Sequence, residues 1–337
     1  MKRRRALAVA AATLAAPAVH AQARYPSGTK QRQVRFPGSG GATLAGTLLL
    51  PMKSEMQYVP GVVLVAGSGP TDRDGNNPGI PAHIDLLKQL AELLAGAGIA
   101  TLRYDKRGIG ASSKAPAGLA EQERFFAWDN FIGDVQVAHA ELLRHDEVKP
   151  WATALLGHSE GGVLALAAAA AMTARRPYAV VLAATPGLPL QQIIRQQLDR
   201  TAPGLAQPAE RAMDTIRKTG HAPTNLPAPL ADVFPPYIGP FLQGELTFDP
   251  AAALAALDQA CLLVHGGADQ QVVPLADIQP LLDVLARRNR PGEVLVAPLV
   301  SHNLKAVSGP ADPGFAGPIA PAIADKLSSW LKQVLGA

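Results

Sequence analysis

The feature of this sequence that most limits its fold is an alternation of short apolar runs with longer segments of helical periodicity. Strands are predicted for the apolar runs bounded by turn residues at 61–66, 99–104, 152–156, 179–183, 261–265 and 293–297. Helices are predicted between and after them at 84–94, 131–143, 161–174, 275–287 and 319–335. Because parallel strands joined by helices are covered on both faces, the pattern predicts an α/β fold with a doubly wound, mostly parallel sheet.

Two segments depart from this alternation and define the predicted domain organisation. Residues 34–36 and 43–50, separated by a glycine-rich stretch, predict a hairpin before the parallel strands. Residues 186–249 are rich in proline, contain helical stretches and lie between two predicted strands, so we expect a helical cap insertion there. The core is then predicted to comprise residues 22–185 and 250–337.

The N-terminus has the layout of a secretory signal peptide. Lys2 and three arginines precede the apolar, alanine-rich run 6–19, and small residues follow it. We predict a signal peptide at residues 1–21 and a periplasmic or secreted product. The apolar run is shorter than the roughly 20 residues that a bilayer requires, so no membrane anchor is predicted.

The charge of the chain is concentrated in that first segment. The net charge is +4, from 31 basic and 27 acidic residues, and four of the basic residues stand at positions 2–5. The remainder is balanced in charge, so the basic overall balance does not indicate a nucleic-acid partner. Cys261 is the only cysteine and begins an apolar run, which predicts a buried strand residue rather than a nucleophile.

A G-x-S-x-G motif is the strongest chemical signal in the sequence. The stretch from Gly157 to Gly161 lies between a predicted strand and a predicted helix, with Ser159 at its centre. A serine hydroxyl is a weak nucleophile that must be raised from the sheet and paired with a base. The glycines permit the sharp turn that this requires, and Ser159 is therefore the predicted nucleophile.

Candidates for the base and its orienting acid follow the last two predicted strands. His302 lies in the loop after the strand at 293–297 and is the candidate general base. Asp269 lies in the loop after the strand at 261–265 and is the candidate acid, with Asp277 as its nearest competitor. We expect His265 to be packed at a strand end.

The order Ser159, Asp269, His302 on this strand pattern resembles the α/β-hydrolase superfamily, over nearly the whole chain after the signal segment. The stretch GSGPTDRDGN at 67–76 is similar to a loop of bacterial exported serine esterases, although Ala66 stands where the superfamily usually has histidine. The resemblance implies an oxyanion hole formed by the N–H groups of Ser68 and Glu160.

No cofactor or metal is expected, because the sequence contains neither an H-E-x-x-H motif nor a paired C-x-x-C. Residues 72–76 resemble a calcium loop only partly, and we expect them to be braced by their own polar side chains. The block 105–112, with its two glycines, lacks the lysine-serine ending of a phosphate loop and is assigned no catalytic role.

The function predicted from these residues is hydrolysis of a small-molecule carboxylic ester through an acyl-enzyme. A thioesterase and a proline-type serine aminopeptidase are alternatives on the same fold. An acyltransferase and a catalytically silent binding protein also remain open. Phe234, Tyr237 and Phe241 of the insertion are candidates to line an acyl pocket.

Overall fold

An eight-stranded sheet runs through the computed structural model, which describes residues 28–51 and 58–337. The predicted signal peptide lies outside the described residues. The strands are β1 Thr29–Pro37, β2 Thr43–Pro51, β3 Val59–Val65, β4 Ala100–Tyr104, β5 Val148–His158, β6 Ala179–Ala183, β7 Ala260–Gly266 and β8 Gly292–Ala297.

The sheet is mostly parallel, as predicted. Its strand order is β1-β2-β4-β3-β5-β6-β7-β8, with β1 antiparallel to β2, β2 antiparallel to β4, and every later pairing parallel. The predicted N-terminal hairpin is formed by β1 and β2. Because β3 to β8 run in the same direction, the loops that follow them meet at one edge of the sheet.

The helices fill the connections between the strands. They are α1 Leu86–Gly96, α2 Leu119–Phe125, α3 Trp128–Leu142, α4 Glu160–Ala171, α5 Leu190–Thr201, α6 Ala206–Thr219, α7 Ala228–Ala231, α8 Gly239–Thr247, α9 Pro250–Ala256, α10 Gln279–Arg287 and α11 Pro321–Leu335. In the described part of the chain, no helix has both the length and the apolar character needed to cross a bilayer.

Two hydrophobic cores cover the two faces of the sheet. Side chains alternate along β3, so that Val63 and Val65 belong to the core beneath α3 and α4, whereas Val62 and Leu64 belong to the core beneath α1 and α11. The near-continuous apolar strands detected in the sequence therefore reflect burial on both faces.

The main difference from the predicted helices is the start of α10. The sequence pattern predicts a helix from residue 275, but Leu275 has a φ of 65° and the helix begins at Gln279. A left-handed residue cannot continue a right-handed helix. Asp277, expected on this helix, instead lies in the turn before it, where its side chain accepts a hydrogen bond from the Val273 N–H at 2.7 Å.

Residues 190–256, between β6 and β7, form α5 to α9. The side chains of this segment merge with the core on the α3 face, where Phe241 packs edge-on against Trp128 and Phe131, with ring centroids 5.3 and 4.9 Å apart. Helices α6 and α8 also pack against each other. An apolar interface thus holds the segment to the α3 face of the sheet.

Candidate active site

The predicted site residues lie at the carboxyl edge of the parallel strands. Ser68 follows β3, Ser159 follows β5, Asp269 follows β7 and His302 follows β8. The four strands are separated in the chain by helices and, apart from β7 and β8, by other strands, but their C-terminal ends share one edge of the sheet. The fold brings all four residues to this edge.

Ser159 has an unusual backbone conformation. Its φ and ψ are 55° and −126°, between the last residue of β5 and the first residue of α4. Its N–H donates a hydrogen bond to the carbonyl oxygen of Ala183 at 2.8 Å, which anchors the turn to the neighbouring strand. Such a conformation costs a residue with a Cβ atom about 1–3 kcal/mol and persists only where surrounding contacts enforce it.

The flanking glycines are required by close backbone approach. A Cβ atom at Gly157 would overlap the carbonyl oxygen of Gly161, and one at Gly161 would overlap the carbonyl oxygen of Val65. Both obstacles are main-chain atoms, which cannot rotate away as a side chain can. The G-x-S-x-G motif is therefore a steric requirement of the strand–turn–helix geometry in this chain.

His302 and Asp269 form a direct hydrogen bond. Nδ1 of His302 lies 2.8 Å from Oδ2 of Asp269, and both residues are buried. The other carboxylate oxygen, Oδ1, accepts the N–H groups of Gln271 and Val272 at 2.8 and 3.0 Å. With its carboxylate acceptors engaged in this way, Asp269 fixes Nδ1 of His302 as the protonated nitrogen and leaves Nε2 free for another partner.

The electrostatics of Asp269 favour its ionised form. Burial acts to raise the pKa of this carboxyl group, but the hydrogen bond from His302 and the fields of His302 and His265 together hold the pKa below its usual value. The group therefore carries a negative charge at neutral pH, opposite the imidazole that it contacts.

Two further histidines support this pair. Nε2 of His158 lies 2.8 Å from the carbonyl oxygen of His302, and the two rings are 4.8 Å apart. Burial, followed by repulsion from His302, lowers the pKa of His158 to about 3, so its ring is neutral and donates from Nε2. His265 is packed at the end of β7 as expected, with Nε2 2.9 Å from the Val272 carbonyl oxygen and 3.4 Å from Oδ2 of Asp269.

The contact between His158 and His302 could not be found by sequence reasoning. His158 precedes Ser159 in the chain, and nothing in the sequence pairs it with residue 302. The two residues are 144 positions apart in the chain. The only sequence signal for this contact is the neighbouring motif itself, which carries no information about the partner of residue 158.

The predicted oxyanion residues flank Ser159. Ser68 lines the same cavity as Ser159, and Glu160 is the first residue of α4. A Cβ atom at Gly67 would lie 3.3 Å from Cβ of Ser159, so the loop after β3 lies directly beside Ser159. The participation of the Ser68 and Glu160 N–H groups in binding an oxyanion stays a prediction.

The loop after β3 is braced by its polar side chains, as expected. Oδ1 of Asp72 accepts the N–H groups of Asp74 and Asn76, each at 2.9 Å. Arg73 bridges this loop to Asp105 after β4, with Nη2 and Oδ2 2.6 Å apart. These bonds hold the loop in its position beside Ser159.

A cavity of about 180 Å³ opens beside Ser159. Its wall combines the catalytic candidates and His158, the loop after β3, the start of α1 with the residues before it, and three further residues from later loops: Gly67, Ser68, Thr71, Gly75, Asn77, Ile80, Ile84, Leu86, Leu87, His158, Ser159, Gln271, His302, Asn303 and Phe315. Within the described chain, Nδ2 of Asn303 is buried without a hydrogen-bond partner. Lys305 connects two parts of the wall, since its Nζ donates to the carbonyl oxygens of Ile84 and Phe315 at 2.5 and 2.9 Å.

The prediction that Phe234, Tyr237 and Phe241 line an acyl pocket is wrong for this cavity. None of the three belongs to its wall. Phe234 and Phe241 are buried in the core shared with α3, and the Tyr237 ring packs 5.3 Å from that of Phe126. The apolar aromatic residues of the insertion attach it to the sheet, and sequence alone does not distinguish such a packing face from a binding face.

The remaining candidate residues, Cys261 and Asp277, have structural roles. Cys261 is buried in β7, and burial raises its pKa to about 12, which suits a strand residue and not a nucleophile. Asp277 accepts a hydrogen bond from the Val273 N–H, and it is Asp269, not Asp277, that bonds His302. Among residues 28–51 and 58–337, no group of three or more His, Cys, Asp or Glu side chains is arranged to hold a metal ion.

Comparison with known proteins agrees with this architecture. Residues 77–228 match a sequence family described as "Serine aminopeptidase, S33". Esterase EstD from Thermotoga maritima is 27% identical over 295 residues, which cover 86% of this chain and 65% of the relative. The chain therefore spans about two thirds of the length of that relative.

Solved structures show the same fold. The α/β hydrolase GrgF from Penicillium sp. sh18 superposes with a TM-score of 0.57 at 18% identity, covering 91% of this chain and 100% of that one. An esterase from Pyrococcus furiosus superposes with a TM-score of 0.55 at 14% identity, covering 91% of both chains. Strand order, the turn at Ser159, the matching sequence family and the structural neighbours agree, and this chain has the α/β-hydrolase fold.

Proposed function

We propose that this protein is a serine esterase that hydrolyses small carboxylic esters through an acyl-enzyme on Ser159. The observation that carries the proposal is a cavity whose wall contains both Ser159, in its strained turn, and His302. His302 is bound to Asp269 by a hydrogen bond of 2.8 Å. A base oriented by a buried carboxylate, beside a half-buried serine on a sharp turn, is the arrangement that activates a hydroxyl nucleophile.

In the proposed mechanism, His302 accepts the hydroxyl proton of Ser159 through Nε2 as the serine oxygen attacks the ester carbonyl. Asp269 keeps the imidazole in the correct tautomer and stabilises its positive charge. The N–H groups of Ser68 and Glu160 bind the negative oxygen of the tetrahedral intermediate. His302 then protonates the departing alcohol, and water attacks the acyl-enzyme by the same sequence of proton transfers.

The size and chemistry of the cavity support a small, uncharged substrate. Its volume of about 180 Å³ is below the roughly 300–1,000 Å³ usual for pockets that bind drug-sized ligands. Leu86, Leu87 and Phe315 supply apolar surface for a short acyl or alkyl group. We therefore expect acetate and butyrate esters to be better substrates than octanoate esters.

The experiment is hydrolysis of p-nitrophenyl acetate, butyrate and octanoate by the chain beginning at Gln22, with Ser159→Ala measured in parallel. The proposal predicts turnover that falls with acyl length and is lost in the variant. Matched circular dichroism spectra of the two proteins establish that the loss is chemical. Turnover that persists in the variant contradicts the proposal. Absence of turnover and of fluorophosphonate labelling in the wild-type protein would favour a binding protein.

An aminopeptidase is the second candidate, because the matching sequence family bears that name. An aminopeptidase must bind the α-ammonium group of its substrate, which calls for a negative charge in the site. None of the residues in the described wall of the cavity is an aspartate or a glutamate. This neutral wall favours the ester, and comparison of alanine and proline p-nitroanilides with p-nitrophenyl acetate tests the preference directly.

We also propose that the protein is exported, on the basis of the basic and apolar segment at residues 1–21. Expression of the full chain with N-terminal sequencing of the periplasmic or secreted product tests this. Cleavage near residue 21 supports export, whereas an intact N-terminus in the cytoplasm contradicts it.

A further inference from the structure

A buried lysine lies behind the proposed oxyanion hole. Lys106 follows the carboxyl end of β4, and its side chain is only 6% exposed. Moving an ammonium group from water into the protein interior is costly unless partners compensate for the lost hydration. The sequence pattern gave the block at 105–112 no catalytic role, so the partners of Lys106 indicate what the residue does.

The partners of Lys106 are Gly67, which precedes the proposed oxyanion donor Ser68, and Glu160, which is the other proposed donor. Its Nζ donates a hydrogen bond to the carbonyl oxygen of Gly67 at 2.5 Å and lies 3.7 Å from Oε1 of Glu160. The Gly67 carbonyl and the Ser68 N–H belong to one peptide unit. The second donor is the N–H of Glu160 itself. One ammonium group therefore contacts both halves of the proposed hole from behind.

The planarity of the peptide bond gives this contact a directional effect. In a trans peptide the C=O and N–H bonds point to opposite sides, so a carbonyl held toward Lys106 turns the Ser68 N–H away from the lysine. Gly67 adjoins Ser159, and Ser68 lines the cavity. A cation bound to the carbonyl oxygen also polarises the peptide and makes its N–H a stronger donor.

The charges around Lys106 keep the ion pair in place. Glu245 of α8, in the insertion, is buried and faces both Lys106 and Glu160. Burial, reinforced by repulsion from Glu160, raises the pKa of Glu245 well above its usual range, which disfavours a second negative charge beside Lys106. The carboxylate within ion-pair distance of the Lys106 ammonium is that of Glu160, at 3.7 Å.

We propose that Lys106 is a positioning residue of the oxyanion hole, whose ammonium group ties the Gly67 carbonyl to the Glu160 carboxylate and thereby fixes the two N–H donors. This inference rests on the proposed esterase function. It assigns Lys106 an effect on the transition state and little effect on the binding of the ester in its ground state.

The test compares Lys106→Met with the wild-type enzyme on p-nitrophenyl acetate, with active sites counted by titration with a fluorophosphonate. The inhibitors are a trifluoromethyl ketone, which adds to the serine and places an oxyanion in the hole, and the corresponding methyl ketone, which binds without adding. We expect kcat per titrated site and the affinity for the trifluoromethyl ketone to fall together by about 10–100-fold, somewhat less than the loss of a whole donor. KM and the affinity for the methyl ketone should change by less than about threefold.

Lys149→Met is the matched control. Lys149 also donates to a main-chain carbonyl, that of Gly336, but it lies near the start of β5, at the opposite end of the strand from Ser159. The activity of Lys149→Met should equal that of the wild type. If Lys106→Met does not fold, Lys106→Gln retains an N–H donor for Gly67 without the charge, and an intermediate loss of kcat is expected.

Two results would overturn the positioning role. One is an unchanged kcat per titrated site, whether or not the variant is less stable. The other is a loss of kcat with no matching loss of affinity for the trifluoromethyl ketone. Wild-type turnover that is abolished in Ser159→Ala tests the esterase function separately, so that failure of the positioning role leaves that function standing.

Discussion

The backbone of Ser159 should make the nucleophile position a source of instability in the folded protein. Its φ of 55° and ψ of −126° lie in a region that only glycine adopts without strain. Ser159→Ala keeps the Cβ atom and the strain, whereas Ser159→Gly removes both. Neither variant has a hydroxyl group, so both should be inactive and the comparison isolates the backbone.

The expected difference follows from two opposing effects. Relief of strain stabilises the glycine variant by about 1–3 kcal/mol. The greater freedom of glycine in the unfolded chain destabilises it by about 0.5–1 kcal/mol relative to alanine. Ser159→Gly should therefore be more stable than Ser159→Ala by about 1 kcal/mol, the reverse of the usual order of these two residues.

Urea unfolding followed by circular dichroism measures this difference. Ser329 supplies the control, because it is exposed in the middle of α11, where the glycine variant should be less stable than the alanine variant by about 1 kcal/mol. If the glycine variant were less stable than the alanine variant at position 159 as well as at position 329, the argument that strain is stored at Ser159 would be refuted.

Further expectations concern the groups around Ser159. Asp269→Asn should lower kcat by about 10³–10⁴-fold, because an amide cannot hold His302 in the required tautomer. Stopped assays at high enzyme concentration measure the residual kcat. The folded-state pKa of Asp269 is depressed, so the ionised carboxylate stabilises the fold above about pH 4, and this stabilisation is lost as the pH falls below that value. The difference in the free energy of unfolding between the wild type and Asp269→Asn, measured by urea unfolding between pH 3 and 6, should therefore shrink on acidification. Gly161→Ala should destabilise the fold by at least about 3 kcal/mol through overlap with a main-chain carbonyl, and a thermal transition equal to that of the wild type would contradict the steric argument. Because burial and repulsion from Glu160 raise the pKa of Glu245 well above its usual range, Glu245→Gln should change the free energy of unfolding by less than about 1 kcal/mol. Glu160→Gln removes the counter-charge of a buried lysine and should cost about 2 kcal/mol.

Much of the fold was predictable because the sheet is buried on both faces. Strand β6 is found at the predicted residues, and the other parallel strands differ from the predictions only at their ends. Local backbone conformation was less accessible, as Leu275 illustrates. Its side chain fits a helical apolar pattern, but its φ of 65° ends any helix there, and periodicity contains no information on that angle.

The positions of Ser159, Asp269 and His302 were predictable because each follows a recognisable strand. The residues that support them were not. Lys106 reaches Gly67 and His158 reaches His302 across the strand ends, and these contacts depend on which strands are neighbours in the sheet. The aromatic residues of the insertion illustrate the same limit, since composition alone did not indicate that Phe241 packs against Trp128.

The most direct test of the account is to trap the covalent intermediate during turnover of p-nitrophenyl acetate. The reaction is quenched in acid, and the digested protein is examined by mass spectrometry for an acetylated peptide. The account predicts an acetyl group on Ser159, formed at the rate of the initial burst and absent from Ser159→Ala. Steady-state turnover without acetylation, or with acetylation confined to another residue, would contradict the assignment of Ser159 as the nucleophile.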